Sequence, residues 1–422
     1  MKILENAIEI LKNGYVCNWC LGRAYANLLS GHSNDQRGNI IRYFIAFLID
    51  SGEKIDVDLS NFYGIKFRNV KLNIKKPERC KICKNFFLEG IDNWSEKIIQ
   101  KLKGVEFKTF LIGSIPSNEM EREEEKLQED VGIEFFESIK AEINREIGKS
   151  IEKNTKAVFE LKNPDVTILV DLKNEKLRIE IRSLYIYGRY QKLARGIPQT
   201  KWICKNCGGK GCLKCRGEGK LYPTSVQEII EKPLLKLTRG KSSSFHGAGR
   251  EDIDARCLDY RPFVIEIKKP VRRKIDLKKS GKQINKSKKV KVRGLKFTTK
   301  ETIRRLKTER ISKTYVAVVD FEKKIDKKKL KEIGKLVETA ILQKTPQRVL
   351  HRRADKFRKR RVEKISWKVL GSKKLRIEIR AESGLYIKEL INGDEGRTNP
   401  SVAELIGNKA KKIVLDVTKI HT

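Results

Sequence analysis

The sequence predicts an α+β protein of more than one domain. Three observations predict it. Apolar alternation runs up to and away from a turn within residues 166–181, a charged stripe of helical period precedes it, and a second apolar run at Phe263–Ile267 follows a cysteine-rich stretch. With 422 residues, the chain is long enough for two or three domains with cores of their own.

The elements follow in order. Residues 1–14 read as an amphipathic helix, with Ile3, Leu4, Ala7, Ile8 and Leu11 on one side and Gly14 as its cap. This segment lacks the apolar core and cleavage site of a signal peptide. No stretch approaches the roughly 20 apolar residues that span a bilayer, so a cytoplasmic protein with no membrane partner is expected. Val105 to Ile112 alternates as a strand. Glu121 to Lys156 predicts one long helix, with Ile133, Phe136, Ile139, Ile143 and Ile147 at helical spacing. Val166, Ile168 and Val170, a turn at Lys173–Glu175, then Leu177, Ile179 and Ile181 predict a hairpin. The basic run 268–297 ends in Val290, Val292, Leu295 and Phe297, which predicts a long hairpin with a reaching tip. A second basic cluster, Arg348 to Arg361, interleaves Val349, Leu350 and Phe357 as a helix or strand with one face on phosphate.

Charge narrows the partner. There are 94 Lys plus Arg against 54 Asp plus Glu, a net charge of +40. That excess repels itself in a compact fold, so a large acidic partner is expected. Nucleic acid fits best, because each neutralised phosphate releases counterions.

Eight of the nine cysteines fall in C-x-x-C pairs: Cys17/Cys20, Cys80/Cys83, Cys204/Cys207 and Cys212/Cys215. In a reducing compartment this spacing means metal rather than disulfides, and four thiolates suit tetrahedral Zn²⁺. The first two pairs predict two knuckles clasping one structural zinc; unrelated reduced thiols are the competing reading. The second group, CKNCGGKGCLKCRGEG, resembles tandem zinc repeats of the DnaJ type. Zinc and an emptied or redox-labile site stay open there. Cys257 stands alone and reads as a small packing residue.

The candidate active site is Phe245–Ile267. Small residues Gly247, Ala248 and Gly249 lead into Arg250, Glu251, Asp252 and Asp254 at a tight turn, and a core strand follows. An acid held there in so basic a chain is a candidate nucleophile facing a polyanion; a solvated charged loop is the alternative. Gly247-x-Gly249 follows polar serines rather than a strand, which makes it a poor nucleotide loop.

Three separated segments carry resemblances. Gly249-Arg250-Glu251-Asp252-Ile253-Asp254-Ala255 resembles the G-R-x-D motif of TruA-type pseudouridine synthases. KTYVAVVD, with Tyr315, resembles the K-x-Y-x-A strand of the RluA type. GLYIKELI, with Tyr386 and Lys388, resembles the Y-I-[RK]-x-L motif of the TruB type. Upstream, Pro164-Asp165-Val166, Val170-Asp171, Ser183-Leu184-Tyr185 and Gly188-Arg189-Tyr190 resemble the end of a THUMP domain, an RNA-binding module. HGAGREDIDAR, RPFVIEI, TPQRVLHRRAD and NGDEGRTNPSVAELIG together resemble the archaeal and eukaryotic Pus ten family, over nearly the whole chain. Leu258-Asp259-Tyr260-Arg261 stands where that family often has a glycine-rich turn.

The resemblance implies a pseudouridine synthase fold, a mixed and mainly antiparallel sheet with flanking helices, over residues 199–422. It implies a zinc-containing THUMP-type α/β accessory domain over residues 1–198. It implies an isomerase, a tRNA pseudouridine synthase acting on the T-arm at position 55 and also 54, with structural zinc and no organic cofactor, working as a monomer. Asp252 is the implied catalytic carboxylate and Asp254 the runner-up, turned away toward Arg256. Lys388 would pair with Asp252, Arg250 would fill the gap left by the flipped base or hold a phosphate, and Tyr315 and Tyr386 would wall the uracil. Tyr315 could also take the C5 proton. His246 is open between an RNA contact and a structural hydrogen bond. THUMP modules also accompany thiouridine synthetases and deaminases, but the chain has no S-G-G-x-D-S loop and no H-x-E with P-C-x-x-C. The alternative from another class is a non-catalytic, zinc-stabilised tRNA-binding or RNA-folding protein.

Overall fold

The structure is a computed structural model that describes residues 2–132 and 134–421. It divides into two compact units, Met1–Arg182 and Ser183–Thr422.

The first unit holds helices α1 (Lys2–Lys12), α2 (Asn18–Arg23), α3 (Asn34–Asp50) and α4 (Ile91–Leu102), then β1 (Thr109–Ile115), α5 (Asn118–Val131), α6 (Ile139–Thr155), β2 (Val158–Phe159), β3 (Val166–Asp171) and β4 (Lys176–Ile181). The strands form one mixed sheet in the order β2-β1-β3-β4. β3 and β4 are the expected antiparallel hairpin, with Val166 opposite Ile181. In α6, Ile139, Ile143, Ile147 and Ile151 are fully buried, a stripe of period 3.6. Each such side chain contributes about 1.5–3 kcal/mol by leaving water.

The single long helix expected over 121–156 is two helices. Gly132 takes φ +83° after α5, a conformation open to glycine. Ser138 restarts the helix by accepting a hydrogen bond from the Ala141 amide at 3.2 Å. Ile133, expected on the stripe, lies outside the described residues.

The second unit holds β5 (Leu184–Lys192), α7 (Val226–Thr238), β6 (Ser242–Gly247), β7 (Arg256–Lys268), α8 (Leu277–Ile284), β8 (Val290–Thr298), α9 (Lys300–Thr308), β9 (Lys313–Phe321), α10 (Lys335–Glu338), β10 (Ile341–Lys344), β11 (Phe357–Arg360), β12 (Val362–Gly371), β13 (Lys374–Ala381), α11 (Ile387–Asn392), β14 (Thr398–Asn399), α12 (Val402–Ile406) and β15 (Ala410–Ile420). Its main sheet runs β12-β13-β9-β15-β7-β5-β8, with β6 also on β7. Every pair in it is antiparallel except β15 with β7. A small sheet, β11-β10-β14, stands apart.

Three expectations shift here. The division falls at 182/183 rather than 198/199, because β5 is built into the main sheet between β7 and β8. The groups around Ser183 and Gly188 therefore lie in the second unit. The basic run is not a long hairpin: α8 interrupts it, and β8 pairs with β5 instead of β7. Ser242–Gly247 is a strand, β6, but no helix opens after it.

Candidate active site

The chain reaches its central feature where β7 begins. β7 and β15 pair in a short parallel ladder, Arg256 and Cys257 opposite Asp416 and Val417. On the far side of β15, Val417 faces Tyr315 of β9. Register alone thus sets Tyr315, Val417 and Cys257 in one row, with residues 248–255 looping out beside it. The loop borders a cleft of about 570 Å³ lined by Asp252, Asp254, Tyr315, Arg348, Tyr386 and Lys388, among others. The sequence-read residues Arg250, Asp252, Tyr315, Tyr386 and Lys388 all line this one cleft.

Asp252 is the more sheltered of the two acids, its side chain 28% exposed against 63% for Asp254. Its Oδ1 accepts from Arg348 Nη1 at 2.9 Å, and its Oδ2 lies 3.8 Å from Lys388 Nζ. Arg348 is in turn gripped from behind. Its Nε donates to Oε1 of Glu389 at 2.6 Å, and Glu389 is buried. Burial opposes the charge of Arg348, but Glu389 and Asp252 outweigh it and raise its pKa. Lys388 makes its close contacts elsewhere, donating to both oxygens of Asp254 at 2.7 Å. Burial of Asp254 works against its charge, but the Lys388 hydrogen bond prevails and lowers its pKa. The expected turn of Asp254 toward Arg256 does not occur. Arg256 faces β15 and is taken by Asp416, Nη2 to Oδ2 at 2.7 Å.

The loop is held through its backbone. Lys192, fully buried at the end of β5, donates from Nζ to the carbonyls of Asp252 at 2.9 Å and Ile253 at 3.0 Å. Burial pushes its pKa down to about 8. Arg195 Nη1 donates to the Asp254 carbonyl at 2.7 Å. Beneath, Glu251 pairs with buried Arg261, Nε to Oε2 at 3.1 Å, and accepts from the Tyr190 hydroxyl at 2.9 Å. Such a buried pair costs desolvation. The Tyr190 bond to Glu251 and an Arg261 Nη1 bond to the Ala248 carbonyl at 2.9 Å offset it, while Arg261 Nε meets Glu251 as an ion pair without hydrogen-bond geometry. Arg261 comes from the LDYR segment in place of the family's glycine-rich turn, and here that segment is part of β7. Gly249 turns at φ +80°, and a Cβ there would meet Arg261 Nη1 at 3.0 Å.

Tyr315 is half-buried, and burial pushes its phenol up to about 12. The Tyr386 hydroxyl accepts from Arg353 Nη1 at 2.8 Å. Arg250 lies 5.2 Å over the Trp202 ring. His246 lies outside the cleft lining, 3.7 Å from Glu266, and its buried Nε2 makes no hydrogen bond, so the structure favours neither of the two readings. Cys257 is buried and raised to about 11 by burial, a packing residue rather than a nucleophile. Sequence reasoning missed Arg348, Glu389, Arg261 and Lys192. Glu389 did leave a signal, an acid amid Ile387, Leu390 and Ile391 beside the motif lysine.

Both cysteine groups converge. In each, four Sγ atoms lie within 4.8 Å of one another. A Zn–S bond of about 2.3 Å requires a tetrahedron edge of about 3.8 Å. Cys17 to Cys83 is 3.6 Å, Cys204 to Cys212 is 3.9 Å and Cys207 to Cys215 is 3.8 Å. Backbone amides of Gly211 and Gly219 donate to the Cys207 and Cys215 sulfurs at 3.2 Å. Cys17, Cys20, Cys80 and Cys83, and Cys204, Cys207, Cys212 and Cys215, are thus two donor sets able to hold a metal ion, whose part would be structural.

Two family models match: "Pus10, C-terminal" over residues 185–421 and "Pus10 THUMP domain, archaeal" over residues 94–171. Curated relatives, among them the three that follow, carry the name tRNA pseudouridine synthase Pus10. The protein of Methanothrix thermoacetophila is 38% identical over 99% of this chain and 94% of its own. That of Methanocaldococcus jannaschii is 40% identical over 98% and 93%, and that of Archaeoglobus fulgidus 42% over 81% and 95%. Among solved structures, a chain in "Crystal Structure of a Cbf5-Nop10-Gar1 Complex" aligns over 55% of this chain and 48% of its own, at 14% identity and a TM-score of 0.30, too slight a likeness to carry an argument.

Proposed function

The chain belongs to the Pus10 family, and from that premise we propose that it isomerises uridine to pseudouridine in the T-loop of tRNA, at position 55 and also 54, with Asp252 as the catalytic carboxylate. In the reaction C1′–N1 breaks, C1′–C5 forms, C5 loses a proton and N1 gains one. Nothing is exchanged but protons, so the protein supplies a carboxylate, a pocket and a grip on RNA. The observation that carries the reading is the carboxylate of Asp252, set in a basic cleft between Arg348 and Lys388.

A T-loop uridine must leave its stack to enter such a cleft. Tyr315 and Tyr386 then wall the uracil. Burial raises the pKa of Tyr315 further above neutrality, and the neutral phenol ring can stack on the base. Arg250 and Arg353 meet the flanking phosphates. Arg348 takes the orienting part that the motif had suggested for Lys388, and Lys388 holds Asp254 away from the reacting carbon.

The test is position-mapped pseudouridine in an unmodified tRNA transcript after incubation with wild type and Asp252→Asn. Product at 54 or 55 with wild type and none with the variant supports the proposal. Product from both proteins moves the role to Asp254. Tight, salt-sensitive binding without any product from wild type would leave a tRNA-binding protein instead.

A further inference from the structure

Between residues 201 and 222 only Cys204, Cys215 and Gly219 are buried, while Leu213 is 99% exposed and Ile203 and Leu221 are about half exposed. A segment with no apolar core has little to hold it except a metal ion. Its glycines are packed backbone to backbone: a Cβ on Gly219 would meet the Gly209 carbonyl at 2.3 Å, and one on Gly211 the Gly217 carbonyl at 2.6 Å. This compact turn closes a short ladder in which Cys204 N donates to Gly219 O and Leu221 N to Trp202 O, each at 2.9 Å.

The end of that ladder is the cleft. Trp202 lines it, braced edge-on by Tyr222 at 5.5 Å, and carries the Arg250 guanidinium on its face. Arg250 stands two residues before Asp252. The knuckle also exposes Lys205, Lys210 and Lys214.

We infer that the Cys204–Cys215 knuckle is a metal-ordered, RNA-contacting wall of the active cleft, which holds Trp202 under Arg250 and offers its lysines to the phosphates beside the target nucleotide. The inference rests on the tRNA reading above and adds the surface that receives the substrate. Trp202 and Arg250 are positioning and binding residues here.

The test uses the full chain and three readouts: zinc per chain by elemental analysis, affinity for an unmodified tRNA transcript, and pseudouridine formed. Wild type should carry two zinc ions and the Cys207→Ser/Cys212→Ser variant one. Trp202→Ala should keep both ions and bind tRNA about tenfold more weakly, with KM raised and kcat at saturating tRNA little changed. Lys205→Ala/Lys210→Ala/Lys214→Ala should flatten the salt dependence of binding, each lost phosphate contact removing about 0.7–0.9 from the log–log slope. A zinc content that is the same in wild type and in a folded Cys207→Ser/Cys212→Ser variant overturns the inference. So does wild-type affinity in both the Trp202 and the triple-lysine variants, which decide the matter even where the cysteine variant fails to fold. Affinity is read without turnover, so a wild type that binds tRNA and makes no product defeats the proposed catalysis alone.

Discussion

Glu389→Gln isolates the support behind Asp252 without touching either reacting partner. Glu389 is buried and meets Arg348 through one close contact at 2.6 Å and one long contact at 3.4 Å. Gln keeps the shape and removes the charge. Charge-assisted hydrogen bonds contribute about 1.5–3 kcal/mol and neutral ones about 1, so one strong and one weak contact predict a loss of about 1–2 kcal/mol. In a unit of this size that lowers Tm by about 4 °C. Arg348 then keeps its 2.9 Å bond to Asp252 and only a neutral bond to the Gln amide oxygen, and its side chain is 37% exposed, so solvent screens what remains. A misaimed carboxylate should cost kcat about tenfold, or about 1.4 kcal/mol, with KM close to wild type. The assays are thermal unfolding and pseudouridine formation over a range of tRNA concentration. A lowered Tm with wild-type kcat would make the pair structural only. A raised KM with unchanged kcat would make Arg348 an RNA contact rather than the aim of Asp252.

Other outcomes follow from the same structure. Gly249→Ala forces a side chain into φ +80° against Arg261 and should cost about 1–2 kcal/mol, with a matching fall in Tm; wild-type stability would show that the turn relaxes freely. Lys313 is buried with its pKa lowered by burial to about 8 from 10.5. The unfolded chain thus holds a proton there between about pH 8 and pH 10.5 that the folded chain lacks, so this group makes stability rise with pH in that window. Lys313→Met should flatten that rise in denaturant titrations, and an unchanged slope would refute the shift. Affinity for tRNA should fall by about a thousandfold between 50 and 200 mM salt if six phosphates are met, read as a linear log–log plot. A flat plot would deny the net charge of +40 its part in binding.

Legibility followed the range of the interaction. The hairpin at 166–181 and the α6 stripe are local patterns of period 2 and 3.6, and both were readable residue by residue. The break at Gly132 was not, because the apolar spacing continues across it and only the caps interrupt. Asp252 stood out through a contiguous motif, and the C-x-x-C pairs through spacing. Arg348 did not: a run of basic residues shows that one can meet an anion, not which. Its partner Glu389 is 41 positions away, and the two meet only because Arg348 is brought over α11.

Composition, cysteine spacing and the short motifs by themselves determined the class of partner to expect, two cysteine groups spaced as metal ligands, the family and the acid to suspect. Those depend on residue type and on neighbours a few positions apart. The tertiary structure alone decided which cation serves which acid. Lys388 went to Asp254 and Arg348 to Asp252, because strand register at Cys257, Val417 and Tyr315 aims the loop before the side chains choose. Ion pairing is settled by distances of a few ångströms, and those are fixed by packing between segments that the sequence keeps far apart.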